Sequence, residues 1–230
     1  MGRDETAAVN RLLIFDFDGV IADTEAAVLQ SWQELYREFG QELETRWWVD
    51  NVLGKPAGTI DVLAELEHRL AAPLDRPELA RRRQERETCL VDRVAPRPGL
   101  RELLRQAREQ HCRTAVASNS TRAWVLPHLR RMELVDCWDG IRCRDDVDRP
   151  KPDPQIYLRL VELLGTSAKN SIAFEDSPLG VTASANAGLV SVANPTSLTR
   201  DSSFPEARLR LDSLEGIGPA ALHELLGEPF

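Results

Sequence analysis

Two aspartates one residue apart, Asp16 and Asp18, are the residues of this sequence best suited to chemistry. They directly follow the apolar run 12–15, which predicts a buried parallel strand. Gly19 then allows the chain to turn sharply. Two carboxylates this close repel each other unless a cation lies between them. The pair therefore predicts a divalent metal site in which one acid stays free for chemistry.

A polar cluster also follows a second apolar run. Ser118, Asn119 and Ser120 come after residues 113–117, at the predicted start of a helix. Hydroxyl and amide groups in that position suit an anionic oxygen, because the first N–H groups of a helix point at the same ligand. Serine and asparagine also cap helices without binding anything. The cluster is thus a candidate phosphate-binding element, with helix capping as the alternative.

Lys151 lies in a loop, residues 149–154, that three prolines hold extended. The chain has 3 lysines against 26 arginines, so a lysine in so rigid a position indicates a need for a compact ammonium group. Such a group would offset repulsion between carboxylates and bind a phosphoryl oxygen. A solvated surface lysine is the alternative.

A second acid pair, Glu175 and Asp176, ends another apolar run, and Ser177 and Pro178 then begin a helix. Carboxylate oxygens are the ligands that Mg²⁺ prefers, although Asp176 could instead only cap the helix. Because parallel strands bring their carboxyl ends to one edge of a sheet, the four clusters are expected to meet in one crevice.

The segments that position these clusters alternate between strand and helix. Strands are predicted at 11–16, 113–118, 138–142, 171–175 and 189–193, and helices at 99–110, 121–132, 154–165 and 178–187. This alternation predicts an α/β fold with a doubly wound parallel sheet. An edge strand at 207–211 and a closing helix at 214–226 are expected to complete it.

A helical insert interrupts the alternation. Helices are predicted at 24–39, 57–71 and 76–92, which divides the chain into a core domain, 1–22 and 95–230, and a cap domain, 23–94. Both hinges flank the aspartate pair, so the cap is expected to cover the site and exclude water. A subdomain that only adds stability is the alternative.

Lys55 is the candidate substrate-binding residue of the cap. Gly54 and Pro56 hold it in a tight loop that is expected to face the core, although a solvent-facing lysine is equally compatible with the sequence. Trp47 and Trp48 are expected to pack in the cap interior rather than against a substrate.

Composition excludes several classes of protein. The 230 residues are 42% hydrophobic and 29% charged, as in globular proteins, and the net charge of -8 argues against nucleic acid as a partner. No apolar stretch approaches the roughly 20 residues of a membrane span, so no membrane partner is expected. The polar N-terminus lacks an apolar signal segment, which predicts a cytoplasmic protein. The sequence leaves the oligomeric state open between a monomer and a weak dimer.

Four motifs in this order resemble those of the haloacid dehalogenase (HAD) superfamily: DFDGVIADTE, VASNS, RPKPDP and FEDSPLGVTASANAG. The insert between the first two resembles the small α-helical cap of the β-phosphoglucomutase and phosphoglycolate phosphatase subgroup. The resemblance covers nearly the whole chain and implies a Rossmann-like HAD core with an inserted cap.

The resemblance also implies catalytic roles. Asp16 would be the nucleophile that forms an aspartyl-phosphate. Asp18 would be the general acid for the leaving oxygen and then the general base for water. Ser118 and the backbone of Asn119 would bind the transferring phosphoryl group, and Lys151 would link the nucleophile to the phosphoryl oxygens.

The same resemblance implies a Mg²⁺ site. The Asp16 side chain, the Asp18 backbone carbonyl and Asp176 would hold the ion, with Glu175 in or near its ligand shell. The positive charge of the metal would let an anionic carboxylate attack an anionic ester.

The function expected from the resemblance is a Mg²⁺-dependent phosphatase acting on a small phosphorylated metabolite such as a sugar phosphate. A β-phosphoglucomutase-like phosphosugar mutase is the alternative, and a non-catalytic binding protein is a third. The mutase subgroup carries a histidine in the first cap helix and an arginine in the cap loop, whereas the predicted helix 24–39 has no histidine and the loop carries Lys55. These departures from the mutase pattern favour a phosphatase over a mutase.

Overall fold

A computed structural model describes residues 11–55 and 58–226, and the side chains of its last helix through residue 222. Six parallel strands form one sheet in the order β3-β2-β1-β4-β5-β6. Their bounds are β1 Leu12–Phe15, β2 Arg113–Ala117, β3 Gly140–Arg142, β4 Ser171–Glu175, β5 Val190–Ala193 and β6 Leu209–Arg210. The predicted α/β fold with a doubly wound parallel sheet is confirmed.

Helices flank the sheet and fill the insert. Their bounds are α1 Thr24–Glu38, α2 Thr45–Asn51, α3 Val62–Leu70, α4 Arg76–Val91, α5 Leu100–Glu109, α6 Arg122–Arg131, α7 Gln155–Leu163, α8 Pro178–Asn186 and α9 Pro219–Leu226. The sequence did not predict α2, and it placed the starts of α3 and α9 five residues early. Residues 56 and 57, at the predicted start of α3, lie outside the described residues.

The central strand β1 is buried on both faces, as its unbroken apolar sequence requires. Leu13 and Phe15 pack into one hydrophobic cluster with residues of α5 and α6, and Leu12 and Ile14 pack into another with residues of α7. The Phe15 ring stacks on Phe174 of β4 at a centroid distance of 4.7 Å. This packing fixes β1 between β2 and β4, and with it the two aspartates that follow.

The four helices of residues 24–91 have an apolar interior of their own. Tyr36, Trp48 and Leu66 are buried in it, and Trp47 packs against the same cluster, in agreement with the expected role of the tryptophan pair. The Tyr36 hydroxyl donates to the carbonyl of Val62 at 2.8 Å, which joins α1 to the start of α3. The domain bounds after residues 22 and 94 stay a prediction.

The outgoing and returning segments of the insert lie side by side next to the aspartates. Ala22 forms a β-bridge with Pro96, and the Arg97 N–H donates to the Ile21 carbonyl at 2.9 Å. The Arg97 guanidinium donates to the carbonyls of Gly19 and Asn194, so it joins the loop after β1 to the loop after β5. These contacts hold the outgoing and returning segments of the insert at the carboxyl edge of the sheet.

None of the helices in the described residues is long and apolar enough to cross a membrane.

Candidate active site

The register of the sheet places three of the polar clusters side by side. Phe15 of β1 is level with Val116 of β2 and with Phe174 of β4. The next residue along each strand is therefore Asp16, Ala117 or Glu175, and the Asp16 N–H donates to the Phe174 carbonyl at 3.0 Å. Acids that are far apart in sequence thus meet at the carboxyl edge of the sheet.

The Lys151 ammonium lies between the ends of β1, β2 and β4. Its Nζ lies 2.9 Å from Asp16 Oδ1, 2.6 Å from Glu175 Oε1 and 2.8 Å from the carbonyl oxygen of Ala117. An ammonium has three N–H donors, and all three have acceptors here. Burial on its own would lower the pKa of Lys151, but the Asp16 and Glu175 carboxylates raise it above its ordinary value. The buried lysine therefore stays charged.

The side chain of Asn119 holds the loop that carries Lys151. Its Oδ1 accepts from the Lys151 N–H at 2.9 Å, and its Nδ2 donates to the Lys151 carbonyl at 3.3 Å. The same Nδ2 lies 3.5 Å from the carbonyl of Gly54, in the loop after α2. The predicted role of Asn119 was phosphate binding through its backbone, and the structure adds this contact between its side chain and the lysine loop.

Ser118 is buried directly after β2, and its hydroxyl accepts from the Ser120 N–H at 3.0 Å. This local bond turns the chain at the strand end. Ser118 and Asn119 thus lie at the edge where the sequence placed them.

The Asp18 carboxylate accepts hydrogen bonds from three side chains, two of which are distant in sequence. Oδ1 accepts from the Thr24 hydroxyl at 2.5 Å and from the Trp124 indole N–H at 2.9 Å, and Oδ2 accepts from the Ser120 hydroxyl at 2.5 Å. Sequence reasoning assigned none of these three donors to Asp18. Thr24 stands within the DFDGVIADTE motif, whereas the sequence carries no local signal for Trp124.

The remaining acids form a buried cluster. Carboxylate oxygens of Asp16, Glu175 and Asp176 lie within 4.8 Å of one another. Glycine makes this approach possible, since a Cβ on Gly19 would lie 2.1 Å from Asp176 Oδ2 and one on Gly180 would lie 1.8 Å from Glu175 Oε2. Glu175 Oε1 also accepts from the Tyr157 hydroxyl, while Oε2 is buried with no hydrogen-bond partner among the described residues.

The charge of the cluster is unbalanced. Three carboxylates face one ammonium, and burial, followed by the charge of Glu175, raises the pKa of Asp16 to about 8. Burial, and then Asp16 and Glu175, also raise the pKa of Asp176 well above its usual range. Clustered, hard oxygen atoms with excess negative charge are what a divalent cation requires. The donor set therefore fits a metal ion, and the cluster can hold one.

Glu25 on α1 adds to this negative field and was not predicted as a site residue. Burial, and then the charges of Asp18 and Asp16, raise the pKa of its carboxyl to about 8. Glu25 in turn helps to raise the pKa of Asp176. A carboxyl group from the insert therefore lies in the same electrostatic environment as the acids of the core.

Lys55 lies elsewhere. Its exposed ammonium donates to the carbonyls of Asn51 at 2.6 Å and Asp50 at 3.3 Å, at the carboxyl end of α2. Cations at that end of a helix interact favourably with its dipole. The structure does not bring Lys55 into contact with the acids, and its role toward a substrate stays a prediction.

Comparison with known proteins shows which family this chain is similar to. A family model of the haloacid dehalogenase-like hydrolases matches residues 13–194. YhcW of Bacillus subtilis (strain 168), provisionally named a phosphatase, is 35% identical over 89% of this chain and 92% of its own length. The fructose-1-phosphate phosphatase YqaB of Escherichia coli (strain K12) is 30% identical over 78% of this chain and 94% of its own. The crystal structure of CbbY from Rhodobacter sphaeroides in complex with phosphate superposes with a TM-score of 0.73 at 26% identity, covering 93% of this chain and 99% of that one.

The raised pKa of Asp16 predicts a pH-dependent loss of stability in metal-free buffer. In the folded protein the carboxyl holds its proton up to about pH 8, whereas the unfolded chain releases it near 3.8. The folded state therefore binds more protons between these values, and the free energy of unfolding falls as pH rises through this window. Urea unfolding at pH 5 and pH 8 with EDTA should show a larger fall for the wild type than for Asp16→Asn. Equal falls in the two proteins would contradict this assignment.

Gly180 offers a test of the close packing around Glu175. Replacing a glycine inside a helix by alanine normally stabilises it by about 0.5–1 kcal/mol. Here the new methyl group overlaps Glu175 Oε2, so Gly180→Ala is expected to destabilise the protein by about 1–3 kcal/mol. In a Glu175→Ala background the overlap is gone, and the same substitution should be neutral or stabilising in urea unfolding. Stabilisation of the wild-type background would refute the packing described here.

Proposed function

This chain belongs to the haloacid dehalogenase-like hydrolases, and we propose that it is a Mg²⁺-dependent phosphatase that hydrolyses a small sugar phosphate through an aspartyl-phosphate on Asp16. The observation that carries the proposal is the 2.9 Å contact between the buried Lys151 ammonium and Asp16 Oδ1. Attack of a carboxylate on a phosphate ester brings two anions together. A fixed cation at the attacking group lowers the cost of that approach, because it needs no reorganisation during the reaction.

The residues support a two-step transfer. In the first step an Asp16 oxygen forms a bond to phosphorus, the bond from phosphorus to the ester oxygen breaks, and that oxygen takes its electron pair and a proton from Asp18. In the second step water gives a proton to Asp18 and attacks phosphorus, which releases phosphate and restores the Asp16 carboxylate. Lys151 stays charged throughout and offsets the charge of Asp16 and the phosphoryl group.

Ser118 and Asn119 are proposed to receive the phosphoryl group. They lie between β2 and α6, and the Asn119 side chain contacts Lys151. A hydroxyl and backbone N–H groups before a helix can donate to an anionic oxygen. The bonds between the Asn119 side chain and both sides of Lys151 would keep these donors and the ammonium at a fixed separation.

Asp16, Asp176 and the backbone carbonyl of Asp18 are the proposed Mg²⁺ ligands, with Glu175 beside them. The excess negative charge of the buried acids and the unpartnered Glu175 Oε2 support this assignment. Bound Mg²⁺ would supply positive charge that reduces the repulsion between the acids and the ester.

A sugar phosphate is the proposed substrate class, as the name of YqaB indicates for that relative. Residues 23–94 are proposed to act as a cap that covers the reacting groups, and the contact of Asn119 with the Gly54 carbonyl supports it. Lys55 would reach a substrate only if its ammonium left the carbonyls of α2.

Phosphate release should identify the activity. The purified protein with Mg²⁺ is expected to release inorganic phosphate from sugar phosphates such as fructose 1-phosphate, in a panel that also contains phosphoglycolate and nucleotides. Asp16→Asn should lower the rate at least about a thousandfold, since loss of a nucleophile can cost a hydrolase up to about a millionfold. Asp212→Asn changes an exposed aspartate in the same way and should keep the wild-type rate. Full activity in Asp16→Asn would exclude this nucleophile, and an isomeric sugar phosphate in place of free phosphate would favour the mutase.

Metal binding should appear as stabilisation independent of turnover. A ligand at about 100 times its Kd stabilises a protein by about 2.7 kcal/mol. Mg²⁺ should therefore raise the Tm of the wild type and of Asp212→Asn, but not that of Asp176→Asn. Without metal, Asp176→Asn should be at least as stable as the wild type, because the buried acid cluster then has one ionisable carboxyl group fewer. A full Mg²⁺ shift in Asp176→Asn would remove this residue from the ligand set.

A further inference from the structure

Trp124 connects helix α6 to the proposed acid of the reaction. Its indole Nε1 lies 2.9 Å from Asp18 Oδ1, across 106 positions of sequence. An indole N–H donates and never accepts, whereas the hydroxyls of Thr24 and Ser120 can do either. Because Oδ1 faces a group that can only donate, Oδ1 must remain an acceptor. Oδ2 has no such constraint, since its partner is a hydroxyl.

The indole is held in place from its other side. The His128 ring packs edge-on against Trp124 at a centroid distance of 4.6 Å and stacks on Phe17 at 6.2 Å. Phe17 is fully buried between the two aspartates in the sequence. Packing through His128 and Phe17 thus fixes the direction of the indole N–H relative to the backbone of Asp18.

The first turn of α6 is also fixed. The Arg122 N–H donates to Asp145 Oδ2 at 2.6 Å, and the Arg122 guanidinium pairs with Asp146 at 2.7 Å. Val125, next to Trp124, is fully buried in the core. A helix anchored at its start and along its inner face gives the indole little freedom to turn away.

We propose that Trp124 is a positioning residue that directs the general acid Asp18, an inference that rests on the proposed phosphatase function. With Oδ1 held as an acceptor by the indole, the proton of the neutral acid resides on Oδ2, beside Ser120. When the bond between phosphorus and the ester oxygen breaks, that oxygen takes this proton and Asp18 is left as a carboxylate. Without the indole N–H, only the Thr24 hydroxyl contacts Oδ1, and a hydroxyl can accept a hydrogen bond as well as donate one, so the proton can reside on either oxygen of Asp18.

A comparison of two leaving groups tests this inference. An alkoxide leaving from a sugar phosphate needs the proton of Asp18, whereas dinitrophenolate is a weak base and leaves without one. Trp124→Phe keeps an aromatic ring and removes the N–H donor. We expect its kcat/KM to fall about tenfold for the sugar phosphate that the wild type cleaves fastest, and to stay within about twofold for 2,4-dinitrophenyl phosphate, since general acid catalysis contributes about 100- to 10,000-fold.

The ratio of the two kcat/KM values is the decisive quantity. Partial misfolding of the variant lowers both values equally and leaves the ratio unchanged, so a purely structural role for Trp124 predicts no change. Trp138→Phe is the matched control, because this tryptophan also packs against the core and its indole N–H has no hydrogen-bond partner among the described residues. Its ratio should equal that of the wild type.

Two results would overturn the inference, and they differ from each other. An unchanged ratio in Trp124→Phe, with an active wild type, would refute the role of Trp124 and leave the phosphatase proposal intact. A wild type that cleaves neither kind of ester would refute both together.

Discussion

The buried ammonium of Lys151 is the interaction on which the arrangement of the site depends. It joins Asp16 at the end of β1, the carbonyl of Ala117 at the end of β2 and Glu175 at the end of β4. Taking an ammonium out of water costs several kcal/mol, and this cost is offset only if its partners are fixed at hydrogen-bond distance. The parallel register of the three strands fixes those positions, because Phe15, Val116 and Phe174 are level with one another. The sheet thus defines the site, and the lysine links its three strand ends.

The same arrangement leaves more negative charge than one lysine can neutralise. Asp176 is close to Asp16 and Glu175, and Gly19 and Gly180 provide the space that makes this approach possible. Larger residues there would separate the acids and relieve their repulsion. The chain instead keeps the acids together, which raises the pKa of Asp16 and of Asp176 and lowers the stability of the metal-free protein at neutral pH. The acid cluster therefore lowers the stability of the metal-free protein, and a bound cation would restore it. Such a loss of stability is common at functional sites.

Sequence reasoning was most successful where a local pattern has a single structural solution. The run 12–15 is short and apolar, Gly19 follows it within four residues, and it forms the central strand. The proline-flanked Lys151 was identified by its rarity among arginines, and its ammonium is buried among acids. The short helix α2 was missed because its seven residues include two tryptophans and a valine, which have modest helix propensity, and packing of Trp48 rather than propensity stabilises it. The donors to Asp18 were missed for a different reason, since Ser120 and Trp124 lie 102 and 106 positions away and reach it only through the sheet topology.

Asp18 is also where the insert and the core meet. Thr24 belongs to the first turn of α1, whereas Ser120 and Trp124 belong to the core segment after β2. Two of the three donors are thus fixed to the sheet, and the third is fixed to the insert. A small displacement of α1 would remove the Thr24 bond and leave the other two, so the position of the insert changes the hydrogen bonding of one carboxylate directly. The coupling between the insert and Asp18 is direct, because Thr24 in the first turn of α1 donates to the carboxylate itself.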